Sequence, residues 1–438
     1  MRIITAVFAL ALWSTSVARA EILVGHTGGG TLSTSGFADD DDGDVAPLRQ
    51  FATAGSGLAI DLERRELFVG GGFFGGNRIT VYDLDAPDVE LRTIVGAPTG
   101  LSWPDAIALD TVGQALLVAN FTGDSVTAYP LDANGAVTPV RTLSGPLTGI
   151  HLPLGIAVDS VHQELFVTTR NPSTATDEIL VFRLNDTGNV APLRRLAGNA
   201  TFLFGARHIA LDLAHDELIV ALADADAVIV YPRPASGNVA PTRRILGPNT
   251  GLDFAFGVAL GPGGAYLVTS SNNDSVRVFE RTANGNVPPI RTIAGPITGL
   301  DEPQGIAYLP ESLCQPGPTT LCVDDQVGDG RFRVEVDYAT VQGGGLAGPG
   351  MAIPLATLGV NRGGLFWFFA ADNPEMLIKV LNACAFNQRY WVFYSAGTNV
   401  GLTTTVEDLV SGASWTRSNP DLTPAPPVQD VGALPCDP

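Results

Sequence analysis

Short runs of β-branched, aliphatic and aromatic residues, bounded by Gly, Asn, Asp and Pro, fill the chain up to about Pro310. Runs of that length and composition predict strands rather than helices. They recur in a fixed order. An innermost run reads Leu58-Ala59-Ile60-Asp61, Ile107-Ala108-Leu109-Asp110, Ile156-Ala157-Val158-Asp159, Ile209-Ala210-Leu211-Asp212, Val258-Ala259-Leu260 and Ile306-Ala307-Tyr308. A second follows at Leu67, Leu116, Leu165, Leu218 and Tyr266, and a third at Ile79, Val126, Ile179, Val228 and Val276. The fourth run of each unit carries an arginine: Arg49, Arg92, Arg141, Arg194, Arg243 and Arg291, spaced 43 to 53 residues apart. Four strands per unit, a period near 50 and no helical pattern predict propeller blades.

The ends of the array settle its closure. Six innermost runs are present, but only five are followed by second and third runs. Glu21-Ile22-Leu23-Val24 has the pattern of the missing second strand, and the stretch to Phe37 supplies the third. The expected fold is therefore all-β: a six-bladed β-propeller over residues 21–312, closed by its N-terminal strands.

After Pro310 the repeat stops. A Cys/Pro linker over 313–323 leads into strict alternation, with Phe332, Val334, Val336 and Tyr338 on one face and Arg331, Arg333, Glu335 and Asp337 on the other. Residues 324–438 read as a β-sandwich-like domain with a Pro-rich tail. Its aromatic runs, Phe366-Trp367-Phe368-Phe369 and Trp391-Val392-Phe393-Tyr394, fit a core better than a carbohydrate-stacking platform.

Composition narrows the setting. With 25 basic and 45 acidic residues the net charge is −20, which repels phosphate backbones, so no nucleic-acid partner is expected. Arg2, the apolar run Ile3 to Trp13 and the small-residue site Ala18-Arg19-Ala20 read as a signal peptide over 1–20. No later stretch is apolar for long enough to make a transmembrane segment. The protein is expected to be exported, to the periplasm or beyond the cell. Four cysteines in an exported chain read as disulfides. Cys314 with Cys322 and Cys384 with Cys436 is the preferred pairing of the three possible.

The segments Pro153-Leu154-Gly155-Ile156-Ala157-Val158-Asp159, Leu165-Phe166-Val167 and Pro303-Gln304-Gly305-Ile306-Ala307 resemble NHL-type and lactonase-type six-bladed propellers of exported bacterial proteins. The resemblance implies architecture; propellers host binding modules and enzymes alike. The residues 331–336 and the two aromatic runs resemble a C-terminal module common on such proteins, with no catalytic role implied.

Repetition separates scaffold from site. The arginine found in every unit is architectural, and Asp61, Asp110, Asp159 and Asp212 are expected to satisfy turn amides. The acidic run Asp39 to Asp42 falls in register with Asn134-Gly135 and Asn284-Gly285, so it reads as a turn rather than a calcium loop. His162 and His215 fall in far-rim turns and are expected to be solvated. Residues unique to one blade are the candidates for chemistry. Around the channel mouth these are Asp105, His208 and Gln304 as catalytic candidates. His26, Asn120, His151, Arg170, Arg207, Asn272 and Glu302 are the ligand-binding rim, with Asn273 beside them. His208 is the sharpest, because sister blades carry Ala106, Gly155, Gly257 and Gly305 there. Ser56, Leu154 and Phe256 leave too few ligands around the ring for a metal, so no metal and no cofactor are expected. No Gly-x-Ser-x-Gly elbow and no Walker motif occurs. The leading expectation is a non-catalytic propeller that presents rim loops to an extracellular or envelope protein or a glycan. The alternative is a lactonase-like hydrolase at the channel mouth, using Asp105 and His208 with a divalent metal or a histidine base.

Overall fold

The computed structural model describes residues 19–436 except 27–32, 54, 63, 171–175, 312, 315, 325–329 and 356–359. Residues 1–18 of the expected signal peptide over 1–20 lie outside the described residues. Among those described, six four-stranded antiparallel sheets precede two five-stranded ones. The six small sheets are blades, numbered here from the N-terminus. Blade 1 combines Glu21–His26, Ser33–Ala38 and Arg49–Phe51 with Pro303–Leu309 from the far end of the array. Glu21 pairs with Leu309, and Val24 with Ile306, so the first strand of the propeller closes the ring, as the missing-strand pattern predicts. Blades 2 to 6 occupy 57–95, 104–144, 155–196, 206–246 and 255–294. Their innermost strands contact one another in cyclic order.

Apolar side chains from both faces of each blade meet those of its neighbours. Val126, Ala128 and Leu143 of blade 3, for example, share one core with Ile156, Val167 and Phe182 of blade 4. Burial of this kind is worth roughly 25 cal/mol per Å² and holds the ring together. Polar staples then set its geometry. The repeated arginine pairs with a glutamate at the start of the second strand of its own blade: Arg49 with Glu21 at 2.8 Å, Arg92 with Glu66 at 2.6 Å, and Arg243 with Glu217 at 2.6 and 2.7 Å. Arg194 pairs likewise with Glu164, whose carboxyl it holds below its usual range. Arg92 also donates 2.6 Å to the Leu131 carbonyl of the next blade, and Arg141 2.6 Å to that of Leu184.

A second clasp comes from the turn before each fourth strand. Gly135, Gly188, Gly237 and Gly285 bridge to Ile94, Leu143, Leu196 and Ile245 of the preceding blade. Gly43 bridges to Ile293 in the same way and carries the clasp across the ring closure. All five glycines have φ between 74° and 84°, a region that a side chain adopts only under strain. Asp42 accepts from Thr292 N at 2.8 Å, the role Asn284 plays for Arg244 N at 3.0 Å. The acidic run is a turn that clasps a neighbouring blade.

The far-rim aspartates also do what their position implies: Asp61, Asp110, Asp159 and Asp212 accept from the amides of Arg64, Gly113, His162 and His215. Those two histidines are not simply solvated. His162 Nδ1 lies 2.8 Å from Asp159 and His215 Nδ1 2.8 Å from Asp212, so each ring closes over its own turn.

In the C-terminal region Leu321–Val323, Leu346–Pro349, Phe332–Thr340, Gly401–Asp408 and Ser414–Asn419 form one sheet. Met351–Leu355, Val360–Trp367, Met376–Ala383, Arg389–Ala396 and Val428–Pro435 form the other. Phe332, Val334 and Val406 of the first share one core with Phe366, Ile378 and Val392 of the second. Arg331 departs from the expected outward face. It is buried, forms a two-pronged bond to Asp408 at 2.8 and 2.6 Å, and lies over the Tyr390 ring. Cys314–Cys322 and Cys384–Cys436 are disulfides. No helix among the described residues is long and apolar enough to cross a membrane.

Candidate functional site

The innermost strands converge where glycine lets them. A Cβ at Gly155 would stand 2.3 Å from the Arg207 carbonyl and 3.1 Å from the His208 Cα. Blade 4 thus adds no side chain at this point, and residues of blades 3 and 5 reach towards each other past it. A register irregularity between Ala206 and Ile209, and another between Pro104 and Ala106, re-aim the side chains between them. Bulges of this sort redirect side chains at sites of chemistry.

The result is a facing pair: His208 Nε2 lies 4.0 Å from Asp105 Oδ2. Both side chains are buried, and neither of these atoms has a hydrogen-bond partner among the described residues. Buried polar atoms are rarely left in that condition. Desolvation pushes the Asp105 carboxyl up to about 7, against the opposing pull of the Ser56 hydroxyl and the Arg207 guanidinium. Burial, with Arg207 adding to it, lowers His208 to about 4. Near neutrality the pair is therefore a carboxyl close to its titration point facing a neutral imidazole, rather than an ion pair. The His208 ring packs edge-on against Phe256 at 5.1 Å, and the Arg207 guanidinium lies over Phe254 and Phe256.

A cavity of about 260 Å³ opens beside the pair. Phe121, Leu152, Leu154, Arg170, Asp177, Arg207 and Asp224 line it, and a second of about 390 Å³ continues past Phe204. Asp105 and His208 do not line these hollows; Arg207 does, and it is the neighbour of His208 on the same strand.

The other rim residues divide sharply. Asn120 is fully buried, donating 2.9 Å to Thr127 Oγ1 and accepting from Ser102 N, so it pins a loop and presents nothing to a ligand. His26 is buried with its Nε2 2.9 Å from Ser35 Oγ and 3.0 Å from Ser33 Oγ. Burial lowers its affinity for a proton. His151 is half-buried beside Asp124 at 3.2 Å, and Asn272 donates 2.9 Å to Asp253. Asn273 donates 2.8 Å to the Gly251 carbonyl. Glu302 is exposed, its amide tied to Asp274, and the Gln304 carbonyl accepts from Thr269. Arg170 and Arg207 face the cavity.

The fit to a metal is poor. Asp105 and His208 supply two donors, and no group of three or more His, Cys, Asp or Glu among the described residues is placed to hold an ion. Sequence reasoning passed over Asp177, which lines the cavity and accepts from Ala206 N at 3.0 Å. Its signal was available: Asn77, Asp124, Asp226 and Asp274 stand at the same place before the third strand and each accepts from the next blade's loop.

Residues 21–152, which include Asp105, match the family model described as Lactonase, 7-bladed beta-propeller. The chain itself has six four-stranded sheets among its described residues. No curated protein matches it. Among solved structures, that of a nidogen/laminin complex is 18% identical, with 66% of this chain and 98% of that one covered, at a TM-score of 0.50. A periplasmic gluconolactonase from Pseudomonas aeruginosa is 18% identical over 67% of this chain and 99% of its own, at 0.47. A putative 6-phosphogluconolactonase from Bacteroides uniformis is 16% identical over 76% and 95%, at 0.46. The nidogen/laminin likeness shows a shared propeller fold.

Proposed function

We propose that the chain is a lactonase-like hydrolase acting at the propeller channel mouth. The carrying observation is the buried Asp105–His208 pair with its two facing, unpartnered atoms. The partial match to a lactonase family model supports the same class. Groups 4.0 Å apart can both reach one oxygen at about 2.8 Å, so they can hold a water between them. In this reading the Asp105 carboxylate takes a proton from that water while neutral His208 accepts its other hydrogen at Nε2 and aims its lone pair. The water oxygen adds to the lactone carbonyl carbon, and Arg207 faces the developing oxyanion. Collapse breaks the acyl–oxygen bond of the ring, and Asp105 returns its proton to the departing ring oxygen, leaving a hydroxy acid. A carboxyl held at about 7 is matched to both halves of that cycle. No step passes through a metal, because the donor set does not fit one.

This reading displaces the expected non-catalytic scaffold, several of whose rim residues are locked into the wall. The two disulfides suit an oxidising compartment, and export completes the proposal. The test is a panel of γ- and δ-lactones assayed by proton release. Asp105→Asn and His208→Ala should each lose roughly a hundredfold or more in kcat, with unchanged circular dichroism. The wild-type rate should rise with pH through about 7, as Asp105 ionises. Hydrolysis indifferent to both changes, or no hydrolysis across the panel, would sink the proposal.

A further inference from the structure

The outer face of the second C-terminal sheet is unlike the rest of the molecule. Alternation sends Phe366, Ile378, Val392 and Tyr394 into the core and leaves Trp391 and Phe393 half-buried on the other side, flanked by Leu377. Phe386, 86% exposed, stands edge-on to Trp391 with ring centroids 6.1 Å apart, and Trp391 meets Phe393 at 6.1 Å. A hollow of about 180 Å³ sits at the centre, lined by Leu377, Lys379, Phe393, Ser395, Pro427 and Gln429. Contiguous exposed aromatics of this kind mark binding surfaces.

Charge says what kind of partner fits. Lys379 is the only lysine in the chain, and it stands in that hollow, cross-strand from Phe393. Arg389, next to the core residue Tyr390, projects to the same outward side, and the strands of the sheet carry one carboxylate, Asp430. Asp430 accepts from Trp415 Nε1, a side chain of the opposite sheet. The outward face is thus cationic in a protein of net charge −20. Flat aromatic rings suit the C–H faces of sugars, Ser395 and Gln429 can bond hydroxyls, and the ammonium suits a carboxylate.

We propose that this face binds an acidic, carboxylate-bearing polysaccharide, with Trp391 and Phe393 stacking on sugar rings and Lys379 pairing with a uronate. The site is independent of the hydrolase reading. The probe is sodium polygalacturonate, with dextran as the neutral polymer, in affinity electrophoresis of the full mature chain. Polygalacturonate should retard the wild type and dextran should bind at least roughly tenfold more weakly. Trp391→Ala and Lys379→Glu should each reduce affinity about tenfold or more, whereas Val112→Ser, in a propeller turn, should not. Amine acetylation of the folded protein, which reaches only Lys379 and the N-terminal amine, should give the same loss, and bound polymer should protect Lys379 from it. That arm needs no refolding of a variant. Equal binding of dextran and polygalacturonate would overturn the proposal. So would binding only to vesicles containing phosphatidylglycerol, or a dimer dispersed by Trp391→Ala.

Discussion

The outer belt of the propeller and its channel mouth are made from the same four-stranded unit, yet the belt pairs its buried charges and the mouth does not. In the belt, Arg194 pairs with the Glu164 carboxylate and Arg233 donates to it at 2.7 Å, so the charges are matched even though the Nε atoms of Arg92, Arg194 and Arg243 are buried without partners. Arg49 with Glu21, Arg92 with Glu66 and Arg243 with Glu217 repeat the pairing. At the mouth, Asp105 Oδ2 and His208 Nε2 are buried without partners among the described residues. Repetition allows a polar group to be satisfied once and copied; a residue found in one blade has no such template, and its burial is tolerated only where something else compensates. Unsatisfied burial costs stability that the rest of the ring supplies. That asymmetry is why the mouth, and not the belt, carries the proposed chemistry.

The sharpest way to test the contrast is through stability against pH. A carboxyl held at about 7 against an ordinary 3.8 makes ionisation cost roughly 4 kcal/mol in the folded state. Because the folded value is raised, that stability is fully present below pH 3.8 and is lost as pH rises through 7. Asp105→Asn should therefore be more stable than wild type at pH 8, by up to about 4 kcal/mol in urea denaturation. The gain should fade towards pH 4. His208, lowered to about 4 from 6.5, works in the other direction: its contribution is present above 6.5 and lost as pH falls. His208→Gln should remove that acid-side loss. Two pH-independent differences would mean that the pair is solvated, and the contrast with the belt would fail.

The belt can be broken from within, because two blades lack part of it. Blades 3 and 6 have Ala115 and Ala265 where blades 1, 2, 4 and 5 have Glu21, Glu66, Glu164 and Glu217, so Arg141 holds the Leu184 carbonyl without a glutamate. Glu164→Ala removes the carboxylate from Arg194, which keeps the Arg233 carbonyl, and one of the carboxylates from Arg233, which keeps Asp216, and should cost about 3 kcal/mol. Arg141→Ala should cost about 1 kcal/mol. Equal losses in chemical denaturation would show that the glutamates add nothing beyond what the carbonyl bond provides.

The belt was legible in the sequence and the mouth only partly so, for one reason. A repeated strand fixes its own register, so the ring, its N-terminal closure and the places of the turns before the fourth strands follow from periodicity, while the clasp those turns make on the preceding blade does not. The mouth depends on the irregularities at Ala206/Ile209 and Pro104/Ala106, and a one-residue shift in a strand exchanges its two faces. Hence the sequence marks Asp105 and His208 but not their facing geometry, and it puts Asn120 and His26 on the rim although they are buried. Arg331 was assigned outward for the same reason: alternation ignores a partner such as Asp408, seventy-seven residues away. In the aromatic runs alternation applied within each run, so Phe366 and Phe368 are core while Phe369 is exposed.

The mildest change addresses what an acidic sequence means when it occupies a repeated position. Asp42 and Asp44 accept from Thr292 N and Ile297 N, as Asn284 and Asn286 do from Arg244 N and Asn249 N. A carboxylate and an amide oxygen serve equally as acceptors there, and the side chains lie at the surface, where charge is well solvated. Replacing both, as Asp42→Asn with Asp44→Asn, should shift stability by no more than about 0.5 kcal/mol at pH 7. Millimolar calcium should leave the melting temperature of wild type and variant alike. Asp44→Ala, which removes the acceptor, should cost about 1 kcal/mol. A calcium-dependent rise in melting temperature that disappears in the double asparagine variant would make this turn a cation site and move it from the belt's side of the comparison to the mouth's.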